Sequence, residues 1–357
     1  MWPGAGSVRR LRAGVGAVAI LAGVAVPGRA VAEPSPAPAP ATPVCELGDR
    51  RLAEISGMVA TDDGFVMMND GADDEARRRI FFLDSACAVA RAVPYPSRPR
   101  DTEDLAVGAD GTIWVGDIGD NDRTRQTIAV WRLAPGADRP VLYRMSYPDG
   151  AHDAEALLVT GDGRPVIVTK YSAVLYTPSA ALRPGATVPL TRVGQVRLPT
   201  TTTSNPYGVL GRSSVTGAAT ASDGRRVVLR TYADAFEFDV TGGDVITALT
   251  TGTPRITALP DEPQGESISY SRDGRSLFTV SEAAVAGTRP VILRYPLAEP
   301  APAASPGTPT PAAGTADDGH SSDGGLGTAM VAAGGLGLAV LVAGLVAVTR
   351  SRRAGRR

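Results

Sequence analysis

Lysine is almost absent from this sequence. Lys170 is the only one, so arginine supplies nearly all of the 36 basic residues, and 37 acidic residues balance them. The net charge of -1 gives no reason to expect a nucleic acid as partner. The two histidines, His152 and His320, leave little room for histidine-based zinc chemistry. A serine nucleophile elbow, a phosphate-binding glycine loop and a zinc-ligand spacing are also missing, so the sequence indicates none of these sites.

The N-terminal residues 1–32 have the pattern of a secretory signal peptide. A basic region precedes an uncharged, mostly apolar stretch at 13–26, which is too short to span a bilayer comfortably. The triplet Ala30-Val31-Ala32 fits a cleavage site, so we expect the mature chain to begin at Glu33. The Arg9-Arg10 pair leaves a twin-arginine route as the alternative to general secretion.

The C-terminal part predicts a membrane anchor. Residues 326–348 are uncharged and long enough to cross about 30 Å of hydrocarbon as a helix. The tail at 349–357 carries five arginines, which are expected to stay in the cytoplasm. We therefore predict a single-pass protein of the cell membrane with its bulk outside. A cleaved lipid-anchor signal is the alternative, although such signals end in apolar residues rather than arginines.

Two low-complexity segments bound the folded part. Residues 33–43 and 299–325 are rich in Pro, Ala, Ser, Thr and Gly and have too few large apolar residues to form a core. We interpret the first segment as a linker and the second as a semi-extended stalk. The folded domain is then expected at residues 44–298.

This middle part contains a repeat built around Asp-Gly turns. Their glycines lie 47 to 61 residues apart, and β-rich runs flank each turn. The turns are Asp63-Gly64, Asp110-Gly111, Asp162-Gly163, Asp223-Gly224 and Asp273-Gly274. Short strands joined by such hairpins at this period predict an all-β fold, a β-propeller of five four-stranded blades. A β-sandwich and a six-bladed ring are the alternatives. The last repeat lacks an outer strand, which the segment from Val44 can supply and so close the ring.

The repeats also predict a site. Propeller geometry places the start of each first strand and the end of each second strand on one face, the top, around the mouth of the central channel. The first-strand residues of this set are Ser56, Glu103, Glu155, Thr216 and Glu266. We expect Glu103, Glu155 and Glu266 to bind a ligand there. Lys170 and Arg230, as counter-charges, and His152, which lies close by in sequence, complete the predicted ligand-binding set.

Four further acids and one amide are predicted beside this ring as metal ligands. They are Asp70, Asp117, Asp120, Asn121 and Glu282. Several carboxylates near one axis repel one another and need cations, hydrogen-bond donors or raised pKa values. Ca²⁺ suits such oxygen ligands. The alternative is structural, with each glutamate accepting hydrogen bonds from the backbone of a neighbouring blade.

Three segments carry a family resemblance: TEDLAVGADGTIWVGDIGDN, DAEALLVT and GESISYSRDGRSLFTVSE. Over about residues 50–295 the chain resembles a broad group of exported, membrane-anchored bacterial propellers, and it is distantly similar to phytase-like and gluconolactonase-like propellers. The resemblance implies the propeller fold, and calcium is common among these relatives. Their catalytic sets do not map onto this sequence, because Ser56 and Thr216 interrupt the ring of acids.

Three functions stay open at this point. The first is a surface-displayed propeller that binds an extracellular small molecule, glycan or protein through the acidic face. The second is a metal-dependent hydrolase of phosphoesters or glycosides. The third is a structural or interaction module. For the two cysteines we predict a Cys45–Cys87 disulfide, because an exported chain meets oxidising conditions and both residues are expected at the bottom, where the ring closes.

Overall fold

The computed structural model describes residues 41–282 and 288–297. Packing separates residues 1–300 from residues 301–357, and every described residue belongs to the first part. The predicted signal peptide, the stalk, the membrane helix and the basic tail therefore lie outside the described residues, as does nearly all of the linker. In the part of the chain that the structure describes, no helix is long and apolar enough to cross a membrane.

Twenty short strands make up almost all of the regular secondary structure in the described chain, which confirms the all-β prediction. The chain opens with β1 (Thr42–Glu46). Four-stranded meanders follow, and the first contains β2 (Ile55–Ala60), β3 (Gly64–Asn69), β4 (Arg79–Asp84) and β5 (Val89–Pro94). The second contains β6 (Thr102–Val107), β7 (Ile113–Asp117), β8 (Ile128–Leu133) and β9 (Val141–Ser146). The third contains β10 (Ala154–Val159), β11 (Pro165–Thr169), β12 (Val174–Pro178) and β13 (Thr187–Gln195).

The fourth meander contains β14 (Val215–Thr220), β15 (Arg226–Thr231), β16 (Asp234–Asp239) and β17 (Arg255–Ala258). The fifth contains β18 (Gly265–Tyr270), β19 (Ser276–Ser281) and β20 (Val291–Pro296). Two short helices lie in connections, α1 (Gly208–Ser213) before β14 and α2 (Val245–Thr251) before β17. Asp244 caps α2 by accepting a hydrogen bond from the Thr247 amide.

The Asp-Gly turns form the first hairpin of each meander, as predicted. Four of the turn glycines have positive φ angles of 66° to 79°, a conformation that glycine adopts without steric cost. They are Gly111, Gly163, Gly224 and Gly274. The first turn differs, because Gly64 already belongs to β3 and pairs with Asp84. These turns fix the length of the first strand and hence the position of the residues at its far end.

The meanders form a closed ring. The first strands β2, β6, β10, β14 and β18 each contact the next, and β18 contacts β2. The described residues form five apolar clusters, and each fills the space between two neighbouring meanders. Trp131, for example, packs between the first and second meanders, and Phe236 packs between the third and fourth. Sheets packed face to face around a common axis are the architecture of a β-propeller.

Closure uses the N-terminal strand. β1 pairs antiparallel with β20 and so becomes the fourth strand of the fifth meander, as predicted. The predicted disulfide is also present: Cys45 of β1 is bonded to Cys87, which lies in the turn after β4 of the first meander. The two Cα atoms are 6.4 Å apart and 42 residues apart in sequence. The bridge thus ties the closing strand to the next meander.

One strand pairing connects two of the five meanders, which are otherwise separate sheets. The first residues of β13 run parallel to β9, with Thr187 to Pro189 opposite Arg144 to Ser146. The second and third meanders are therefore joined into one eight-stranded sheet at their outer edges. β13 is nine residues long, and its N-terminal half extends beside the exposed edge of β9. Sequence periodicity did not predict this pairing, which covers an edge that would otherwise stay open.

Candidate functional site

All five first strands contain the same irregularity. In each one the register with the second strand skips a single residue near the start, which is a β-bulge. The skipped residues are Ser56, Glu103, Glu155, Thr216 and Glu266, the five positions singled out from the repeat. A bulge re-aims the side chain of its extra residue. The shared bulge therefore places these five side chains in equivalent positions around the axis.

The two hydroxyl residues of this set connect neighbouring first strands. Ser56 donates a hydrogen bond to the Glu103 carbonyl oxygen at 2.5 Å, and Thr216 donates to the Gly265 carbonyl oxygen at 2.9 Å. Both side chains are fully buried. They fill their bulge positions with short structural contacts and leave the three glutamates as the charged members.

The three glutamates are buried and close enough to perturb one another. Burial raises the pKa of Glu103 well above its usual range, and the charge of Glu155 raises it further. Burial followed by the charge of Glu282 does the same to the pKa of Glu266. For Glu155, burial outweighs the neighbouring Lys170 and raises the pKa to about 7. Negative charge on the carboxylates at the mouth is therefore unfavourable unless a proton, a basic side chain or a cation compensates it.

Lys170 supplies one positive group. Its Nζ donates to Glu155 Oε1 at 2.5 Å and lies 6.0 Å from the Tyr232 ring centroid. Burial lowers the pKa of Lys170, but the charge and hydrogen bond of Glu155, together with Tyr232 and Asp153, raise it overall. The other carboxylate oxygen, Glu155 Oε2, is buried without a hydrogen-bond donor in the described part of the chain. One lysine therefore neutralises only part of the cluster.

A second acid precedes two of the ring glutamates by two residues. Asp101, Glu103 and Asp70 bring one carboxylate oxygen each within 4.8 Å of one another. Burial is the main cause that raises the pKa of Asp70 to about 8, followed by the charge of Asp101. Burial also raises the pKa of Asp101, while a hydrogen bond with Asp70 opposes the rise. The raised pKa values of the two aspartates favour a proton or a cation between their carboxylates.

Glu266 and Glu282 form a similar pair. Burial raises the pKa of Glu282 to about 7, with Asp70 as the largest charge effect, while a hydrogen bond with Glu266 lowers it. Gln264, two residues before Glu266, donates to Glu266 Oε1 at 3.1 Å. The mouth therefore contains two carboxyl pairs whose raised pKa values favour compensation by a proton or a cation.

Asp153 lies two residues before Glu155 and has an unpartnered oxygen. The side chain is buried, and its Oδ1 accepts a hydrogen bond from the Asp120 amide at 2.9 Å. Asp153 Oδ2 is buried and has no donor among the described residues. Sequence reasoning missed Asp101 and Asp153 as site residues. Their spacing from Glu103 and Glu155 is the same, and that repeated offset is the signal that could have found them.

The predicted outer acids Asp117 and Asp120 play a supporting part. Asp117 accepts hydrogen bonds from the amides of Arg100 and Asp101 and pairs with Arg125 at 2.9 Å. The carboxylate of Asp120 accepts from two backbone amides of its own loop. Neither belongs to the three-carboxylate cluster, and Asn121 is exposed. These contacts orient Asp101 and Asp153, and a metal-ligating role for the three residues stays a prediction.

Arg230 and His152 contact other groups than those predicted. Arg230 is fully buried and pairs with Glu262 at 2.5 Å, not with a ring glutamate, because the loop before β18 brings Glu262 over it. His152 Nε2 lies 2.9 Å from Asp149 Oδ1 and 3.1 Å from the Tyr176 hydroxyl. His152 thus belongs to a separate aromatic group beside the third meander.

A buried aspartate with three backbone-amide donors forms the floor of the mouth. Asp104, the residue after Glu103, is fully buried and accepts hydrogen bonds from the amides of Leu105, Leu157 and Ala218. Its carboxylate therefore links the second, third and fourth meanders across the axis. Burial raises the pKa of Asp104 well above its usual range, and these amides oppose the rise. At the equivalent place in β14, a Cβ on Gly217 would overlap the Glu266 carbonyl oxygen, so only glycine fits.

Exposed aromatic and aliphatic side chains border the mouth and form a surface that we call the lip. Tyr171 is 53% exposed, Tyr207 41% and Val209 73%, with Leu210 beside them. The rings of Tyr207 and Tyr232 are 4.4 Å apart. Burial, followed by the charges of Glu266 and Glu282, raises the pKa of Tyr207. The exposed aromatic surface is therefore in electrostatic contact with the acids.

No family model and no curated protein matches this sequence. Among solved structures, virginiamycin B lyase from Staphylococcus aureus aligns with 73% of this chain and 75% of its own, at 10% identity and a TM-score of 0.33. The PQQ-bound aldose sugar dehydrogenase from Streptomyces coelicolor aligns with 73% of this chain and 99% of its own, at 12% identity and a TM-score of 0.37. At these values the reactions and ligands of those proteins are not transferred to this chain.

Proposed function

We propose that this protein is a surface-displayed propeller that holds a divalent cation, Ca²⁺, in the acidic mouth and binds an extracellular ligand there. The observation that carries the proposal is a cluster of converging carboxylates with two buried, donor-less carboxylate oxygens near it. Asp70, Asp101 and Glu103 converge within 4.8 Å, and oxygens of Asp153 and Glu155 have no partner among the described residues. A buried carboxylate without compensation is costly, whereas hard oxygen ligands suit Ca²⁺.

The loop at Gly119 lets these carboxylates approach closely. A Cβ added at Gly119 would overlap Glu103 Oε1 and would lie 2.7 Å from Asp101 Oδ2. Any other residue at this position would therefore displace the two converging oxygens. Asp70, Asp101 and Glu103 would hold the ion, and the bound charge would neutralise the cluster and orient a polar group of the ligand.

The lip favours binding as the function. Tyrosines offer large contact surfaces with a polar end at little entropic cost, and exposed aromatic patches often mark ligand or partner sites. Here Tyr171 and Tyr207 stand beside the only lysine of the chain, at the rim of the acids. A small molecule, a glycan or a protein segment with hydroxyl or carboxylate groups would meet both surfaces.

One observation favours a metal-dependent hydrolase as the second candidate. Glu155 and Glu282 both have pKa values raised to about 7 by burial. A carboxyl group with such a pKa can donate and accept a proton at neutral pH. Turnover of phosphoester or glycoside substrates that stops after Glu155→Gln, with the fold intact, would support this candidate over binding alone.

The architecture completes the proposal. We interpret each meander as one blade, so that five blades form the ring and β1 closes it. The signal at 1–32 and the apolar segment at 326–348 would place the propeller outside the cell and the C-terminus in the cytoplasm. Deletion of residues 326–357 should then release folded protein into the medium. Retention of the truncated protein in the membrane fraction would contradict a single anchor.

A thermal melt tests the cation. The purified chain should melt at a higher temperature in calcium than in chelator, because an ion that binds only the folded state stabilises it. The difference should be lost in Asp101→Asn and in Gly119→Ala, which removes no charge but displaces the Glu103 and Asp101 carboxylates. Glu46→Gln on β1, whose carboxylate is more than half exposed, is the matched control and should keep the difference. Equal shifts in all four proteins would contradict the site.

A further inference from the structure

A small cavity lies at the second meander, separated from the acidic mouth by Asp117 and Arg125. Its volume is about 120 Å³, and its walls come from the connection before β6 and from β8 and β9. Four arginines line it: Arg98, Arg100, Arg125 and Arg144. The side chains of Ser97 and Thr127 are further lining groups, and Trp131 and Ile128 form an apolar wall. Four cations around one small space repel one another, so this arrangement requires negative charge.

The protein supplies only part of that charge. Arg125 is paired with Asp117, and Arg98 reaches the exposed Asp73. Arg100 and Arg144 are exposed, and in the part of the chain that the structure describes neither guanidinium has an ion pair or a side-chain hydrogen bond. Two arginines at the cavity are therefore free to bind an anion.

Asp117 cannot neutralise them as well. Its two oxygens already accept hydrogen bonds from Arg125, from the amides of Arg100 and Asp101, and from the Trp131 indole. Asp117 is the only acid that lines the cavity. The remaining positive charge faces an apolar wall, where electrostatic attraction is stronger than in bulk water.

We propose that this cavity is a binding site for a tetrahedral oxyanion of the phosphate type. Guanidinium groups present planar pairs of donors that match the oxygens of phosphate and bind them through two parallel hydrogen bonds. Arg100 and Arg144 are the binding residues, Arg125 fixes the inner wall through Asp117, and the hydroxyls of Ser97 and Thr127 are additional donors. The space exceeds that of one water molecule and suits a compact anion.

Calorimetric titration of the full chain with inorganic phosphate tests this site, in chelator so that calcium cannot bridge the anion. We expect saturable binding with one phosphate per chain, competition by sulfate and weakening by salt. Arg100→Gln and Arg144→Gln should each weaken binding at least about tenfold, because each removes a charge-assisted contact. Arg183→Gln removes an exposed arginine elsewhere and should leave the affinity unchanged.

The same titration with phenyl phosphate identifies the source of the anion. Tighter binding of the ester than of phosphate means that the cavity takes a terminal phosphate of a larger molecule, and the reverse order means a free anion. The proposal is overturned if phosphate does not saturate a site at millimolar concentration, or if both arginine variants bind as wild type does. None of these outcomes depends on the cation at the mouth, since chelator is present throughout.

Discussion

Glu262 and Glu155 are both buried glutamates, with exposed fractions of 3% and 2%, yet their surroundings differ. Glu262 accepts hydrogen bonds from Arg230, Thr279, Ser281 and Tyr295, so every lone-pair direction of its carboxylate has a donor. Glu155 accepts one bond from Lys170, and its second oxygen has no donor among the described residues. The first glutamate joins the fourth and fifth meanders. The second faces a cluster of other acids.

The difference teaches that burial of a carboxylate does not mark a functional site, whereas a shortage of donors does. A satisfied buried ion pair belongs to the architecture, and removal of one partner is strongly destabilising. An acidic cluster with too few donors is unfavourable by itself and is stabilised by a proton or a cation. The two regions should therefore respond in opposite directions to substitution, to pH and to calcium.

Loss of the arginine at Glu262 should have the largest effect. Arg230→Met leaves Glu262 as a buried charge with only hydroxyl donors and should lower the free energy of unfolding by about 3–5 kcal/mol. Urea unfolding in chelator measures this change. Arg272→Met, which breaks an exposed pair with Asp62, is the control and should cost about 1 kcal/mol or less. Equal losses in the two variants would mean that the Glu262 network is no more important than a surface pair.

The mouth should make stability fall as pH rises. Burial raises the pKa values of Glu155 and Glu282 to about 7 and of Asp70 to about 8, so the folded state holds protons that the unfolded chain loses above about pH 4. In chelator the free energy of unfolding should therefore decrease between about pH 4.5 and pH 8, by on the order of 2–3 kcal/mol. Unfolding curves across this range measure it.

Calcium should flatten that pH dependence above pH 7, where the acids are free to bind it. A stability that rises with pH in chelator would show that the acids are compensated within the protein. In that case the mouth would resemble the region around Glu262, and the contrast between the two would disappear.

The sequence predicted some of the charged residues in these two regions but not others. Asp-Gly turns at a constant offset predicted the first strands and the bulge positions of Glu103, Glu155 and Glu266, because a hairpin fixes the distance to the end of its strand. Asp101 and Asp153 share an equally constant offset, but they precede the strands and were not included. The pairing of Arg230 could not be predicted, because Glu262 lies in an irregular connection whose path depends on tertiary packing.

Other features also depend on side-chain contacts that no period encodes. Asp104 crosses the axis to amides of two other meanders, 53 and 114 residues away in sequence. The parallel pairing of β9 and β13 results from the length of one outer strand. The closing strand and the disulfide were predictable, because a ring that lacks one outer strand must take it from the other end of the chain.

A single acid at the mouth should have a smaller effect of opposite sign. Glu282→Gln removes one negative charge from the cluster and, in chelator at pH 8, should raise the free energy of unfolding by about 1 kcal/mol. Glu54→Gln breaks a half-exposed pair with Arg77 and should lower it by about 1 kcal/mol or less. If Glu282→Gln lowers the free energy of unfolding as Glu54→Gln does, the negative charge at the mouth is already compensated by the protein's own donors and cations.

Proton release on calcium binding tests the central claim most directly. Titration calorimetry of the full chain at pH 7, repeated in buffers of different ionisation enthalpy, counts the protons displaced by each ion. The account predicts one calcium per chain and the release of about one proton or more, since burial raises the pKa of Asp70 to about 8 and a bound ion would displace its proton. Release should decline towards pH 9, and Asp101→Asn should bind at least about tenfold more weakly. Absence of binding at millimolar calcium, or binding without proton release at pH 7, would contradict it.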